Sequence, residues 1–180
     1  MSAQLNDRQP LPFLKQGVAQ IALVVADLDG TVERWWSLFG IGPWHFYTYG
    51  PDLVPVQSYS GKPARYSMRL ALSTIGPLRV ELIELGEGET IYADFVREHG
   101  YGVHHLGLQV DDMQTALALA KDRGWAVTQE GAGFGRDGDG HYAYLDTEAA
   151  LGVALELIER PQGRVPPEKV YPPEAAEQGV

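Results

Sequence analysis

The chain has 180 residues, of which 44% are hydrophobic and 21% charged, with a formal net charge of -10 and no cysteine. That balance belongs to an ordinary folded protein, and the surplus of acids works against nucleic acid and anionic lipid, whose phosphates it repels. Without thiols there is no disulfide, no thiolate metal site and no cysteine nucleophile, so the expected partner is a small molecule and any metal must be held by His, Glu, Asp, Gln or Asn.

The opening MSAQLNDRQPLP lacks the basic start and apolar stretch of a secretory leader, and no apolar run reaches the roughly 18 residues of a membrane span. A cytoplasmic protein is expected. Residues 1–16 form a polar extension. Residues 18–25 predict a strand, and Asp27-Leu-Asp-Gly-Thr caps a helix to about Phe39, which Gly40 and Gly42 stop. Strands follow at 44–49, 66–74 and 78–85. Between the first two, Pro51, Pro55, Gly61 and Pro63 predict a long loop over 50–65, and loops of that length are usually functional or mobile. Residues 90–99 suit a connecting helix.

After Gly102 the same order restarts: a strand at 103–110, a helix from Asp112 to Arg123, a break at Gly124, and strands near 125–129, 141–146 and 152–158. The chain therefore reads as two βαβββ modules, 17–100 and 101–160, followed by a proline-rich tail, 161–180, expected as an extended strap or a disordered end. Two matches carry the repeat. Gln20-Ile-Ala-Leu-Val-Val-Ala-Asp-Leu aligns with His105-Leu-Gly-Leu-Gln-Val-Asp-Asp-Met, and Glu81-Leu-Ile-Glu aligns with Glu156-Leu-Ile-Glu.

Side chains alternate across a strand, so parity sorts each strand into two faces. Ile21, Leu23 and Val25 oppose Gln20, Ala22 and Val24; Leu106, Leu108 and Val110 oppose His105, Gly107 and Gln109. Likewise Leu78, Val80 and Leu82 oppose Arg79, Glu81 and Ile83, and Val153, Leu155 and Leu157 oppose Ala154, Glu156 and Ile158. The aliphatic faces await covering helices. Gln20, Glu81, His105 and Glu156 share the other face, one from each equivalent strand. Three oxygen donors and an imidazole suit one divalent ion per chain, with Zn, Ni, Co, Mn and Fe(II) all admissible, and two carboxylates make that site neutral. Parity sends His104 to the helix-packing side.

Around these positions, His45 in the aromatic strand Trp44-His-Phe-Tyr-Thr-Tyr and His141 after the glycine run 131–140 are candidate substrate contacts, as are Tyr47 and Tyr49. Arg65, Arg69 and Arg136 are the candidate anion contacts. The loop 50–65 and the glycine run are expected to order over a ligand as lids.

The paired modules with this ligand pattern resemble the vicinal oxygen chelate superfamily, which includes glyoxalase I, methylmalonyl-CoA epimerase, extradiol dioxygenases and bleomycin-resistance proteins. The resemblance implies an α+β fold with an open, cupped mixed sheet, a metal in the cup and a homodimer. The Gln, Glu, His, Glu set is similar to one version of glyoxalase I, while Gly102-Val-His-His-Leu-Gly-Leu-Gln-Val-Asp-Asp is closer to methylmalonyl-CoA epimerase. Both relatives abstract a proton beside a carbonyl, so a metal-dependent lyase, isomerase or epimerase is implied, with Glu156 as the base and Glu81 its equivalent in the other module. The substrate is then a thioester, a hemithioacetal, or an aromatic keto or hydroxy compound. The alternatives are a metal-free drug or metabolite binder and a ring-opening dioxygenase; Gln20 in place of a first histidine argues against the latter.

Overall fold

The computed structural model describes residues 11–13 and 17–178. The first half runs β1 (Gln20–Val24), α1 (Leu28–Phe39), β2 (Trp44–Tyr49), a hairpin of β3 (Val56–Tyr59) and β4 (Lys62–Pro63), then β5 (Met68–Ile75) and β6 (Leu78–Leu85). Helix α2 (Ile91–His99) leads to β7 (Gly102–Gln109), α3 (Met113–Asp122), β8 (Val127–Phe134), β9 (Gly140–Leu145), a short α4 (Glu148–Leu151) and β10 (Ala154–Glu159). In the tail, β11 (Lys169–Tyr171) precedes a 3-10 turn (Pro173–Gln178).

The helices start where short polar side chains can satisfy free backbone N–H groups. Asp27, Thr90 and Asp112 hold extended backbone and accept from the N–H of Gly30, Ala93 and Thr115. Gly40, at φ 65°, ends α1 in the left-handed conformation that a β-carbon disfavours.

All strands belong to one mixed sheet in the order β11-β2-β5-β6-β1-β7-β10-β9-β8-β3-β4. Within each module the first strand runs parallel to the last, β1 beside β6 and β7 beside β10, and the antiparallel β1–β7 pair joins the two halves. The sheet is strongly curved. Seven strand steps separate β2 from β8, about 34 Å if flat, yet Tyr49 of β2 and Phe134 of β8 bring their rings to 5.4 Å.

Parity then decides the packing. On the outside, Leu28 and Val32 of α1 cover Phe46, Ala71, Val80 and Leu82, while Met113, Ala116 and Ala120 of α3 cover Leu108, Ala143, Leu155 and Leu157. Leu11 and Phe13 add to the α3 side, so this part of the extension is packed into the core. Inside the curve, Ala22, Val24, Leu70, Leu72, Ile83, Tyr142 and Tyr144 form a third cluster with Tyr92 of α2.

Two expectations change here. The long loop 50–65 is largely structured, because β3 adds to the edge of β8 in the other module through four residue pairs and β4 folds back on β3. The glycine run is also partly strand: β8 continues to Phe134, with Gly131 lying where a β-carbon would come within 2.2 Å of the Tyr142 ring. As for the tail, it is a strap, with β11 pairing antiparallel to β2. Among the described residues no helix is long and apolar enough to cross a membrane.

Candidate metal centre

Registers on the four central strands build the centre. Glu81 and His105 both lie opposite Ala22, and Gln20 and Glu156 both lie opposite Gly107. Two small residues therefore form the floor, and four polar side chains rise around it. A β-carbon on Gly107 would fall 2.7 Å from Gln20 Cβ and 3.3 Å from Glu156 Oε2, so only glycine leaves this floor clear.

All four polar residues are buried, His105 completely. Gln20 Nε2 donates to Glu81 Oε2 at 2.9 Å and to Glu156 Oε2 at 3.0 Å. His105 Nε2 stands 3.4 Å from Glu81 Oε2 and 3.2 Å from Glu156 Oε2. Those are ion-pair distances, but Nε2 makes no aligned hydrogen bond and is a buried orphan. The Nδ1 atom of His105 is engaged, at 2.9 Å from His104 Nδ1. Tyr144 donates from its hydroxyl to Glu156 Oε1 at 2.9 Å, and Tyr92 meets Tyr144 hydroxyl to hydroxyl at 2.7 Å.

A divalent ion fits this arrangement. One ligand atom from each of Glu81, His105 and Glu156 lies within 4.8 Å of the others, close to the span of a coordination shell with bonds of about 2.0–2.2 Å. An orphaned imidazole nitrogen whose partner nitrogen is held is the usual condition of a metal-binding histidine. Gln20 would present its carbonyl oxygen after the amide turns over, an exchange of two atoms of nearly equal shape. Without an ion, a proton takes the cation's place. Burial by itself pulls His105 down, but the charges of Glu156 and then Glu81 outweigh it and raise the imidazole to about 9. Glu81 is pushed up, first by burial and also by the neighbouring Glu156, against the pull of His105. His104, buried and beside His105, is held down at about 2 and stays neutral.

His104 is not where parity puts it. Ala22 pairs with His105 while Leu23 pairs with Val103, so β7 bulges at His104 and alternation fails there. Both imidazoles consequently contact Tyr92 and Tyr144.

The other residues singled out in the sequence fall into two groups. Tyr47 and Tyr49 line the cup, with Tyr49 against Phe134 and Tyr142. His45 is half-buried on the same strand face, held low by burial and then by the charge of Arg164. By contrast, Arg69 is on the outside, paired with Asp29 at 2.8 Å and Glu84 at 3.0 Å. His141 meets Glu130 at 2.6 Å, on the β9 face that carries Ala143 and Leu145 toward α3. Arg136 lies against Gly163 of the tail, and Arg65 lines a separate cavity under the β3–β4 hairpin. These four are not brought to the metal centre.

What the sequence reading passed over is Tyr144, Tyr92, Gly107 and three arginines. A cavity of about 40 Å³ at the centre is lined by Gln20, Tyr49, Glu81, Phe134, Tyr144 and Glu156, and also by Arg79, Arg160 and Arg164. Burial, then the charges of Arg164 and Arg160, lower Arg79 to about 10. Parity already set Arg79 beside Glu81 and Arg160 beside Glu156; Tyr144 needed the β9–β10 register, which puts it opposite Glu156, and Arg164 needed the path of the tail.

Residues 19–144 match the family described as Glyoxalase/Bleomycin resistance protein/Dioxygenase superfamily. Among solved structures, a hypothetical protein of Bacillus halodurans is similar at 19% identity and a TM-score of 0.62, over 83% of this chain and 97% of that one. A methylmalonyl-CoA epimerase variant of Streptomyces coelicolor, in complex with 2-nitronate-propionyl-CoA, is 21% identical with a TM-score of 0.61, over 83% and 97%. The methylmalonyl-CoA epimerase of Mycobacterium tuberculosis is 21% identical with a TM-score of 0.60, over 81% and 88%. At these identities the likeness is one of fold. No curated protein matches the chain.

Proposed function

The chain belongs to the glyoxalase/bleomycin resistance protein/dioxygenase superfamily, and from that membership we propose that it is a divalent-metal-dependent enzyme that removes a proton from the carbon beside a substrate carbonyl. The observation that carries this reading is the convergence of Gln20, Glu81, His105 and Glu156 from four neighbouring strands, with the His105 Nε2 orphan aimed at two carboxylate oxygens. A lyase, isomerase or epimerase uses this step.

Gln20, Glu81, His105 and Glu156 would hold the ion. When bound, a divalent cation polarises a carbonyl oxygen and stabilises negative charge there. The protein's part is to orient the substrate and move the proton. His104 holds His105 in one tautomer through the Nδ1 contact, keeping Nε2 free. Of the two carboxylates, Glu156 has the Tyr144 hydroxyl on Oε1, a partner that stays with it whether or not Oε2 is engaged. We assign Glu156 as the base: its carboxylate accepts the carbon-bound proton and returns it, while Glu81 remains in the centre. The inner aromatics Tyr49, Phe134 and Tyr142 keep water away from the reacting carbon.

The test is metal uptake. Stripped protein is dialysed against Zn, Ni, Co or Mn and analysed for bound metal. About one ion per chain is expected, lost in His105→Ala. No uptake and no thermal stabilisation by any of these ions would overturn the reading in favour of a metal-free binding protein.

A further inference from the structure

Basic residues number 14 against 24 acids in this chain, so a cluster of guanidinium groups runs against its overall charge. Three stand together in the cup. Arg79 precedes Glu81 by two residues on the same face of β6, and Arg160 follows Glu156 by four residues on the same face as β10 ends. Arg164 comes from the tail that crosses from β10 to β11, and all three line the cavity at the metal centre. None forms an ion pair with a described carboxylate, whereas Arg34, Arg69 and Arg97 each do.

This arrangement is unfavourable as it stands. Arg160 Nε is buried with no hydrogen-bond partner, and an unpaired buried donor is destabilising. With a divalent ion offsetting Glu81 and Glu156, the three guanidinium charges face the cavity uncompensated. A planar, small, negatively charged group satisfies both the charge and the forked donors, and a carboxylate is the group whose geometry an arginine meets with two parallel bonds.

We propose that Arg79, Arg160 and Arg164 form a subsite for a carboxylate of the substrate, which is therefore a carbonyl compound that is also an organic acid. Its placement beside the metal centre deepens the proton-abstraction reading and rests on it for the position of the carbonyl; the anion subsite itself does not. The present cavity of about 40 Å³ has room for about one or two waters, less than any such acid. Tail residues 160–168 must therefore give way for entry, and Arg160 and Arg164 travel with them to close on the bound anion.

Malonate and inorganic phosphate are the probes, titrated calorimetrically into metal-free protein so that neither can be held by the ion. Malonate is expected to bind, with affinity reduced about 10-fold or more in Arg79→Gln, Arg160→Gln or Arg164→Gln, and with phosphate binding more weakly than malonate. Arg164 is exposed, so its variant tests the subsite even if a more buried substitution disturbs folding. Absence of malonate binding, or unchanged affinity in Arg164→Gln and the triple variant, would overturn the proposal. Phosphate binding more tightly than malonate would overturn the carboxylate assignment. Metal uptake measured on the same variants separates the two readings. Arginine-dependent malonate binding without metal uptake leaves the subsite standing and removes the metal enzyme, and the reverse result does the opposite.

Discussion

Gly107 shows how little tolerance the candidate metal centre has. It separates Gln20 from Glu156 on the floor of the cup, and a β-carbon would meet Gln20 Cβ at 2.7 Å and Ile158 Cδ1 at 2.8 Å. Gly107→Ala is expected to leave the fold intact and weaken metal binding by about 10-fold or more, as displaced supporting groups do at metal sites; competition with a chromogenic chelator measures it. His105 sets the pH dependence. Its imidazole is raised from 6.5 to about 9 in the folded, metal-free protein, so the stabilisation it contributes is complete below pH 6.5 and is lost as pH rises through about 9. Metal must displace that proton, so metal affinity is expected to rise with pH up to about 9. Urea midpoints of stripped and loaded protein at several pH values test both statements, and an apo protein that gains stability between pH 7 and 9 would contradict them. His104, held at about 2, has the opposite sign: keeping it neutral costs stability as pH falls below 6.5, so His104→Gln should flatten the acid limb.

At the scale of elements, the β3–β4 hairpin and the tail exchange the roles expected of them. The proline-rich stretch 50–65 reads as a lid, but β3 has β8 on one side and β4 on the other. Its amides are therefore expected to be protected from hydrogen exchange without ligand, and rapid exchange through 56–59 would show that the pairing is not maintained. The prolines are compatible with this because Pro63 lies on the edge strand β4 and Pro51 and Pro55 precede β3. It is the tail that spans the mouth, with Val165 packed against the inner cluster and Tyr171 against the α1 cluster. Ending the chain after residue 162 is expected to lower stability by about 2–3 kcal/mol, the scale of one or two partly buried apolar side chains, while metal uptake persists. Loss of metal uptake in a folded truncated protein would show that the tail supports the centre directly.

For the whole molecule, the two modules, the strand faces and the four converging polar positions were legible in the sequence. The reason is local: alternation along a strand is a property of backbone geometry, and a repeat carries the same alternation twice. Gln20, Glu81, His105 and Glu156 were marked by being polar at equivalent positions of the two modules, on the faces opposite the aliphatic ones, before anything was known of their distances. Alternation failed at His104, where β7 bulges against β1, because a bulge is decided by pairing with another strand. The remaining features depend on strand pairing, curvature and the path of the tail, which no single strand encodes. Tyr144 meets Glu156 through the β9–β10 register, whereas Tyr49 reaches Phe134 only when β8 comes round toward β2. Only the crossing of the tail brings Arg164 to Arg79 and Arg160, while Arg69, one strand position from the inner Met68 and Leu70, turns outward to Asp29 and Glu84. The sequence by itself determined which side chains share a face; the tertiary structure decided which faces meet, since closing a sheet over itself is a property of all its strands together.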